Sequence, residues 1–381
     1  MNAPALAPIP RAAVFSCPGR PRPVARRLAI HNRALDRVRE FFGDEGFNQV
    51  PVAAVAAVGT VCEATDTSLA VDHCGHLAFV GQGAQLELDG MVARGFPSVW
   101  CDSECLRREW KADERHLTGF KLIEATRQDL DLDGLCDLQE RLLKHVAAGL
   151  GADLLGGRAV TRLDRLLNME LPRVTYREAL AIINDRGWSM PFGEDLHRDA
   201  EATLIRYCGH RPVLVTHFPA ALKPFNQRLD PHDHEVTLSV EMILPWAGEA
   251  TDGGVLETDV DAMEERLQAS DSYRQQMRQA DAFATAQAAL HPDKPDTASL
   301  AARHRAALRL AWDDYLTPFR SRTLDRGHFA LGFARLLQYL QGLGSIRDAV
   351  IAPLDRNSFG RISSDDLADG ADETGTGAVT A

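Results

Sequence analysis

Long apolar runs are absent from this sequence of 381 residues, since no stretch approaches the roughly 18 apolar residues that a membrane helix requires. The N-terminus is rich in proline and arginine, and it has no apolar core followed by a cleavage site, so it does not resemble a secretory signal. These absences argue against a membrane or secreted protein. We therefore expect a cytoplasmic protein with no membrane partner.

Paired cysteines and excess positive charge are also absent. The seven cysteines are an odd number, and no C-x-x-C pair occurs, so reduced cytosolic thiols are the simplest interpretation. The formal net charge is −12, whereas a broad nucleic-acid-binding surface usually needs a basic face. The charge therefore argues against a nucleic acid as the main partner.

The composition is that of a globular protein with a large core, since 45% of the residues are hydrophobic and 25% are charged. Residues 1–26 hold six prolines and few large apolar side chains, which predicts a flexible N-terminal tail. Residues 364–381 are rich in Asp, Gly, Thr and Ala, which predicts a disordered C-terminal tail. Residues 27–363 are expected to form the folded part.

Apolar residues at helical spacing predict a first helix over Arg27–Phe42, followed by an extended segment from Phe47. Runs of strands with helices between them, but little strict alternation, predict an α+β fold with an antiparallel sheet flanked by helices. The predicted strands are Leu77–Val80, Ser98–Cys105, Phe120–Ala125, Val213–Phe218, Thr237–Leu244 and His328–Phe333. The predicted later helices are Leu135–Leu150, Arg177–Asp185, Arg198–Gly209, Asp261–Ala286, Thr297–Tyr315 and Phe333–Leu343.

Two arginine-bearing elements stand out. Leu106–Glu109 and Arg115–Glu124 read as a strand, a charged loop and a second strand, a layout that places arginine and histidine side chains over a sheet. Gly327–Leu337 runs from an apolar strand into a helix and carries Arg335. Such an arrangement favours a polyanion such as ATP on the sheet surface, because guanidinium groups bind phosphate oxygens in pairs.

These elements resemble motifs 2 and 3 of the class II aminoacyl-tRNA synthetases, in the asparaginyl/aspartyl branch. Thr216–Ala220 and Ser239–Glu249 resemble two further segments of that branch, T-H-F-P-A and S-V-D-L-L-M-P-x-x-G-E. The helix and strand after Arg27 resemble motif 1, which implies a homodimer. The anticodon-binding β-barrel of the branch has no counterpart in the short Pro-rich segment before that helix.

The resemblance implies an ATP site. Arg107 and Arg335 take the positions of the catalytic arginines and are expected to hold the α- and γ-phosphates. Phe120 takes the position that stacks on adenine, and the remaining residues expected around ATP are Glu109, Arg115 and His116. The resemblance also implies Mg²⁺, held by Glu241 and Glu249, because carboxylates bind this ion against phosphate oxygens.

The amino-acid pocket departs most from the family. Glu63 matches a residue that binds the substrate amino group, and Gln85 matches a glutamine of the same pocket. The arginine that binds the substrate side chain is replaced by Leu256 or Glu257, depending on a one-residue gap. A carboxylate without a cationic partner is costly to bury, so aspartate is expected to be a poor substrate unless Lys223 or Arg320 reaches in. His328, where motif 3 has glycine, is a candidate pocket residue or general base.

The leading hypothesis is an ATP-dependent ligase that activates an amino acid as an aminoacyl-adenylate. We expect transfer to a small nucleophile or carrier, as in amide-forming asparagine-synthetase-like paralogues, rather than to tRNA. The alternatives are a catalytically inactive regulatory paralogue and a minimal tRNA-charging enzyme. The motif residues argue against the inactive paralogue, and the acidic charge and missing barrel argue against tRNA.

Overall fold

The computed structural model describes residues 23–59, 61, 65–110, 113–290 and 296–355. Among them, an eight-stranded sheet runs in the order β1-β5-β6-β11-β10-β9-β8-β7, and a three-stranded sheet in the order β2-β4-β3. The strands are β1 Asn48–Gln49, β2 Val55–Ala56, β3 Ala70–His73, β4 His76–Val80, β5 Ser98–Leu106, β6 Gly119–Gln128, β7 Arg173–Thr175, β8 Val213–Thr216, β9 Ser239–Leu244, β10 Gly248–Val255 and β11 Arg326–Gly332.

Helices cover both sides of the large sheet. Their bounds are α1 Pro23–Asp44, α2 Gln85–Ala93, α3 Leu132–Ala148, α4 Gly157–Leu167, α5 Tyr176–Asn184, α6 Arg198–Tyr207, α7 Val260–Ala269, α8 Asp271–Leu290, α9 Thr297–Arg320 and α10 Phe333–Gln341. The six central strands are antiparallel, and only the two edge pairs, β1–β5 and β7–β8, are parallel. The predicted α+β fold is therefore confirmed.

The alternation of side chains along each strand separates the two faces of the large sheet. The odd-numbered residues of β6 and β11, such as Ile123 and Phe329, pack with α1, α3 and α10 in the main hydrophobic core. Their even-numbered neighbours, such as Glu124 and His328, point to the opposite face. Polar side chains at the middle of a sheet thus collect on one face, which is the face of the candidate site.

Two of the predicted elements need a correction larger than a shift of their ends. Residues 23–26, which were expected in the N-terminal tail, form the first turn of α1, and Pro23 at its start fits because proline lacks the N–H that a first turn leaves unused. The other expected tail residues lie outside the described ranges. The predicted helix Asp261–Ala286 is two helices, because Ser270 is extended and its hydroxyl accepts the Tyr273 N–H at 3.1 Å, which starts α8.

Some elements were missed altogether. Strand β10 has the sequence GEATDGGV, in which apolar and polar residues do not alternate, and its pairing with β9 is irregular between Glu249 and Thr251. Helix α2 also lacks an amphipathic pattern, because none of its residues is fully exposed and its buried residues include Asp89. Within the described residues, no helix is long and apolar enough to cross a bilayer.

Candidate active site

A cavity lies on the polar face of the large sheet, between the β5–β6 loop and the start of α10. Most of the residues expected at an ATP and amino-acid site line it. They are Gln85, Arg107, Glu109, Arg115, His116, Phe120, Glu249, His328 and Arg335. The two arginine elements identified in the sequence, about two hundred residues apart, therefore meet at one cavity because β6 and β11 are paired neighbours.

Arg107 and Arg335 lie on the two sides of this cavity. The Arg107 guanidinium carbon lies 5.2 Å from the centre of the Phe120 ring, so the residue that follows β5 places a cation against an aromatic ring on β6. Arg335 is in the first turn of α10, where its Nη1 donates to the backbone oxygen of Glu249 and lies 4.0 Å from that residue's carboxylate. Both arginines are held at the cavity wall by the elements that carry them.

Arg115 is fixed by a residue that the sequence did not single out. Its Nη2 lies 2.5 Å from Glu201 Oε2, and Glu201 Oε1 accepts the Glu249 N–H at 3.0 Å. Both side chains are largely buried, so this is a tight ion pair between the β5–β6 loop and α6. Gly248 has φ +78, a conformation that favours glycine, and a Cβ there would displace the Arg115 guanidinium from its place beside Glu201. Nearby, His116 Nδ1 lies 2.7 Å from Asp113 Oδ1.

A row of acidic side chains crosses the sheet beside the arginines. In register, Glu124 on β6 is paired with Ala330 on β11, Ala330 with Asp252 on β10, and Asp252 with Glu241 on β9. Lys223 Nζ lies 2.6 Å from Glu241 Oε1 and 2.8 Å from Asp252 Oδ1. The row therefore contains three carboxylates, and the buried ammonium of Lys223 neutralises part of their charge.

Burial controls the protonation of two residues in this region. The pKa of Glu124 is raised to about 7 by its burial, although its carboxylate accepts the Ala84 N–H at 2.9 Å and the Ser103 hydroxyl at 2.8 Å. The pKa of His328 is lowered to about 3 by burial and by the nearby Arg326, so its imidazole is neutral. A neutral, hydrogen-bonded imidazole with so low a pKa is a poor general base at neutral pH.

The two predicted metal ligands have different surroundings. Glu249 lines the cavity, whereas Glu241 is buried behind Asp252 and bound to Lys223. Burial raises the pKa of Glu241 well above its usual value; Lys223 opposes this effect, and repulsion from Glu249 and Asp252 adds to it. Within the described ranges, no group of three His, Cys, Asp or Glu side chains forms a complete metal site. Glu249, which lines the cavity, nevertheless fits an ion that takes a single protein carboxylate and completes its shell with phosphates and water.

The predicted amino-acid ligands are only partly brought together. Glu63 lies outside the described residues, while Gln85 begins α2 and lines the cavity. The expectation for Glu257 is wrong, because its carboxylate faces the start of α7 and accepts the N–H groups of Thr258 and Asp259. Leu256 is buried and its backbone N–H donates to the backbone oxygen of Arg326, so it supplies no charge to the cavity.

The two cations that could replace the family's arginine, Arg320 and Lys223, have different surroundings. Arg320 lies at the end of α9, where it is paired with Glu264 and Asp313 and does not line the cavity. Lys223 is bound to the acidic row itself. Sequence reasoning missed Glu124, Asp252, Gln227 and Glu201, since nothing in a single sequence shows that side chains from four elements share one face. The one signal for Glu124 was a charged residue within the short apolar stretch 122–125 of β6.

The sequence pattern described as tRNA synthetases class II (D, K and N) matches residues 18–356. The chain belongs to this family. This class II synthetase is similar to the asparagine–tRNA ligase of Sorangium cellulosum (strain So ce56), with 26% identity over 347 residues that cover 86% of this chain and 68% of the relative. It is 30% identical to the asparagine–tRNA ligase of Desulforamulus reducens over 63% of this chain and 56% of the relative.

Solved structures show the same fold. Asparaginyl-tRNA synthetase from Pyrococcus horikoshii, complexed with asparaginyl-adenylate, matches this class II synthetase with a TM-score of 0.73 at 21% identity, over 89% of this chain and 70% of the other. The aspartyl-tRNA synthetase of Entamoeba histolytica matches with a TM-score of 0.64 at 17% identity, over 88% and 60%. Membership of a ligase family, as expected from the motifs, is confirmed.

One expectation about partners is contradicted. The net charge of −12 argued against tRNA as a partner, but the relatives matched over two thirds of their length are named asparagine–tRNA ligases. Net charge averages over the whole surface, so it does not report on a local binding site. The comparisons likewise give no support to transfer of the amino acid to a small nucleophile.

Proposed function

We propose that this class II synthetase activates an α-amino acid with ATP as an aminoacyl-adenylate and transfers the aminoacyl group to the 3′ end of a tRNA. The observation that carries the proposal is the convergence of Arg107, Arg115 and Arg335 at one cavity beside an acidic pocket. Family membership and the asparagine–tRNA ligases among the relatives support the reaction and the acceptor.

The cavity supplies the groups that the first step needs. An α-carboxylate oxygen of the amino acid attacks the α-phosphorus of ATP, and pyrophosphate leaves. Arg107 would hold the α-phosphate and Arg335 the γ-phosphate, since each guanidinium can bind two phosphate oxygens without losing its charge. Arg115 and His116 would bind the pyrophosphate end, while Phe120 and Glu109 would bind the adenine. Stabilisation of charge that develops in the transition state is the largest contribution expected from such groups.

The remaining residues of the proposed site would bind the amino acid and the metal ion. Gln85 and Glu63 would bind the amino group of the substrate. Glu249 would hold a Mg²⁺ ion that neutralises charge on the phosphates, and Glu241 would support the acidic row beside it through Lys223 rather than by direct contact with the ion. In the second step a ribose hydroxyl of the tRNA attacks the activated carbonyl and AMP leaves. A catalytic domain over residues 27–363, a homodimer and a cytoplasmic location stay predictions.

Two measurements test the proposal in order. ATP–pyrophosphate exchange against a panel of amino acids tests activation, and at least one amino acid should support exchange that requires Mg²⁺. Aminoacylation of total tRNA with that amino acid tests the acceptor. Lack of exchange with every amino acid would favour an inactive paralogue. Exchange without aminoacylation, accompanied by transfer to ammonia or another free amine, would contradict the proposed acceptor.

A further inference from the structure

Two residues of the acidic row, Glu124 and Asp252, form the sides of a trough whose floor is Ala330. Glu124 and Asp252 flank Ala330, which presents only a methyl group, and neighbouring strands are about 4.8 Å apart. The two carboxylate-bearing residues are therefore about 10 Å apart across the sheet, with an open floor between them. A small side chain on the central strand thus leaves room for a ligand group between two acidic walls.

His328 closes this trough at one end. It precedes Ala330 by two residues on β11, so it lies on the same face, and its Nδ1 is 2.9 Å from the hydroxyl oxygen of Thr126. Its Nε2 is 3.8 Å from Glu124 Oε2, which is too long for a direct hydrogen bond. The strand partner of His328 is Gly254, and the space above that glycine is taken by Gln227. Buried contacts therefore hold the closing wall in place.

The charge of the trough selects among ligand groups. Lys223 is the cation of the acidic row, and it is held by Glu241 and Asp252. Among the described residues that line the cavity, the arginines belong to the phosphate end, and Lys121 is paired with Glu104 at 2.7 Å. A carboxylate placed between Glu124 and Asp252 would lose its hydration and meet like charges. A group that donates hydrogen bonds would find acceptors on both sides.

We propose that His328 sets the length of the substrate side chain, and that the trough takes a short α-amino-acid side chain ending in a hydrogen-bond donor, an amide or an amine, and excludes a carboxylate. This inference rests on the proposed function, because it assigns the amino-acid substrate of the same site. Glu124 and Asp252 would accept from the donor, and the imidazole of His328 would contact its end. Asparagine and 2,4-diaminobutyrate have such side chains, whereas aspartate has the excluded group.

The test is ATP–pyrophosphate exchange by the full chain with asparagine, 2,4-diaminobutyrate, aspartate, glutamine and ornithine. One of the first two should give the highest kcat/KM, and aspartate should fall below it by about a hundredfold, because an unmatched polar group in a buried site is strongly rejected. Asparagine and diaminobutyrate distinguish an amide from an amine. Highest activity with aspartate would overturn the inference and leave the proposed function standing, whereas no exchange with any amino acid would overturn the function itself.

The variant His328→Gly tests the length limit. Removing the imidazole should raise kcat/KM for glutamine or ornithine relative to the shorter homologue about tenfold, the usual value of one methylene in a pocket. His328→Gln retains a side chain that can bond to Thr126 and should keep the preference for the shorter substrate. If His328→Gly does not fold, Ala330→Val gives a second test, since it should raise KM for the amino acid and not for ATP. An unchanged substrate ratio in folded His328→Gly, or an unchanged amino-acid KM in Ala330→Val, would contradict the proposal.

Discussion

The two ends of the cavity differ in charge and in their relation to the family motifs. The phosphate end is lined by Arg107, Arg115 and Arg335, all at positions that match motifs 2 and 3. The amino-acid end is lined by Glu124, Asp252 and His328, and His328 replaces the motif glycine. One end is therefore cationic and matches the motifs, while the other is acidic and departs from motif 3 at His328.

The difference follows from what each end must bind. Every reaction that starts from ATP presents the same phosphates, so the same planar, permanently charged side chains serve each time. The amino acid varies between enzymes, and a few buried polar groups select its side chain. A substrate that leaves one of these groups without a hydrogen-bond partner loses much of its binding free energy. Changes at the phosphate end should therefore affect all substrates equally, and changes at the other end should affect their ranking.

The largest expected effect is at the phosphate end. Arg335→Ala and Arg107→Ala should each reduce the rate of ATP–pyrophosphate exchange about a hundredfold, because one charge-assisted contact to the transition state is worth roughly 3 kcal/mol. The ratio between amino acids should not change. Single-turnover formation of the adenylate measures the chemical step directly.

A matched control is Arg309→Ala, which removes an exposed arginine from α9. This variant should retain exchange activity, and all three proteins should have native circular dichroism. Wild-type exchange in either Arg107→Ala or Arg335→Ala would remove the basis of the proposed ATP site. A change in substrate ranking in these variants would show that the two ends are not independent.

Much of the fold could be predicted from the sequence, because many elements carry local signals. The apolar spacing after Arg27 marks α1, and Phe333 begins α10 where motif 3 predicts a helix. Strand β10 could not be predicted, because its glycines are needed for close packing against residues that are distant in the sequence. Gly253 packs against Phe329, and Gly254 packs against Gln227. A strand that is buried on both faces and rich in glycine has no period of two to detect.

The residues of the site likewise fall into those that could be predicted from the sequence and those that could not. The phosphate-binding residues could be found from motif spacing, because the loop and the helix start are local features. The acidic row could not, since Glu124 and Asp252 become neighbours of Ala330 only through the pairing of β6, β11 and β10. Glu257 shows the opposite error: it lies two residues beyond β10, where the chain has turned toward α7 and its carboxylate accepts backbone N–H groups.

The second expected effect concerns how Arg115 is held. Glu201→Gln weakens its ion pair with Arg115 while keeping an oxygen that can accept the Glu249 N–H. KM for ATP should rise about tenfold, equivalent to about 1.4 kcal/mol, because the arginine is no longer pre-positioned, while kcat and the ranking of amino acids should change little. Asp199→Asn is a suitable control, since it removes a carboxylate from the exposed side of the same helix. An unchanged KM for ATP together with lower thermal stability would assign Glu201 a structural role only.

The smallest expected effect is a pH dependence of stability at the amino-acid end. The pKa of Glu124 is about 7 in the folded protein, above its ordinary 4.5, so the folded state binds more protons between these values. The contribution of Glu124 to the free energy of unfolding is therefore fully present below about pH 4.5 and is lost as pH rises to about 7. His328 acts in the opposite direction between about pH 3 and 6.5, because its pKa is lowered, so the wild-type profile alone does not separate the two residues.

The difference between Glu124→Gln and the wild type isolates the carboxylate. Glutamine can still accept from Ala84 and Ser103 but does not ionise, so the melting temperature of the variant minus that of the wild type should increase from about pH 5 to about pH 8 and then level off. Glu104→Gln, at an exposed position on β5, should show no such trend. A difference that stays constant over this range would mean that Glu124 is ionised throughout. The trough would then carry its full negative charge at the acidic end of the range, and a cationic amine would be favoured over an amide as its ligand.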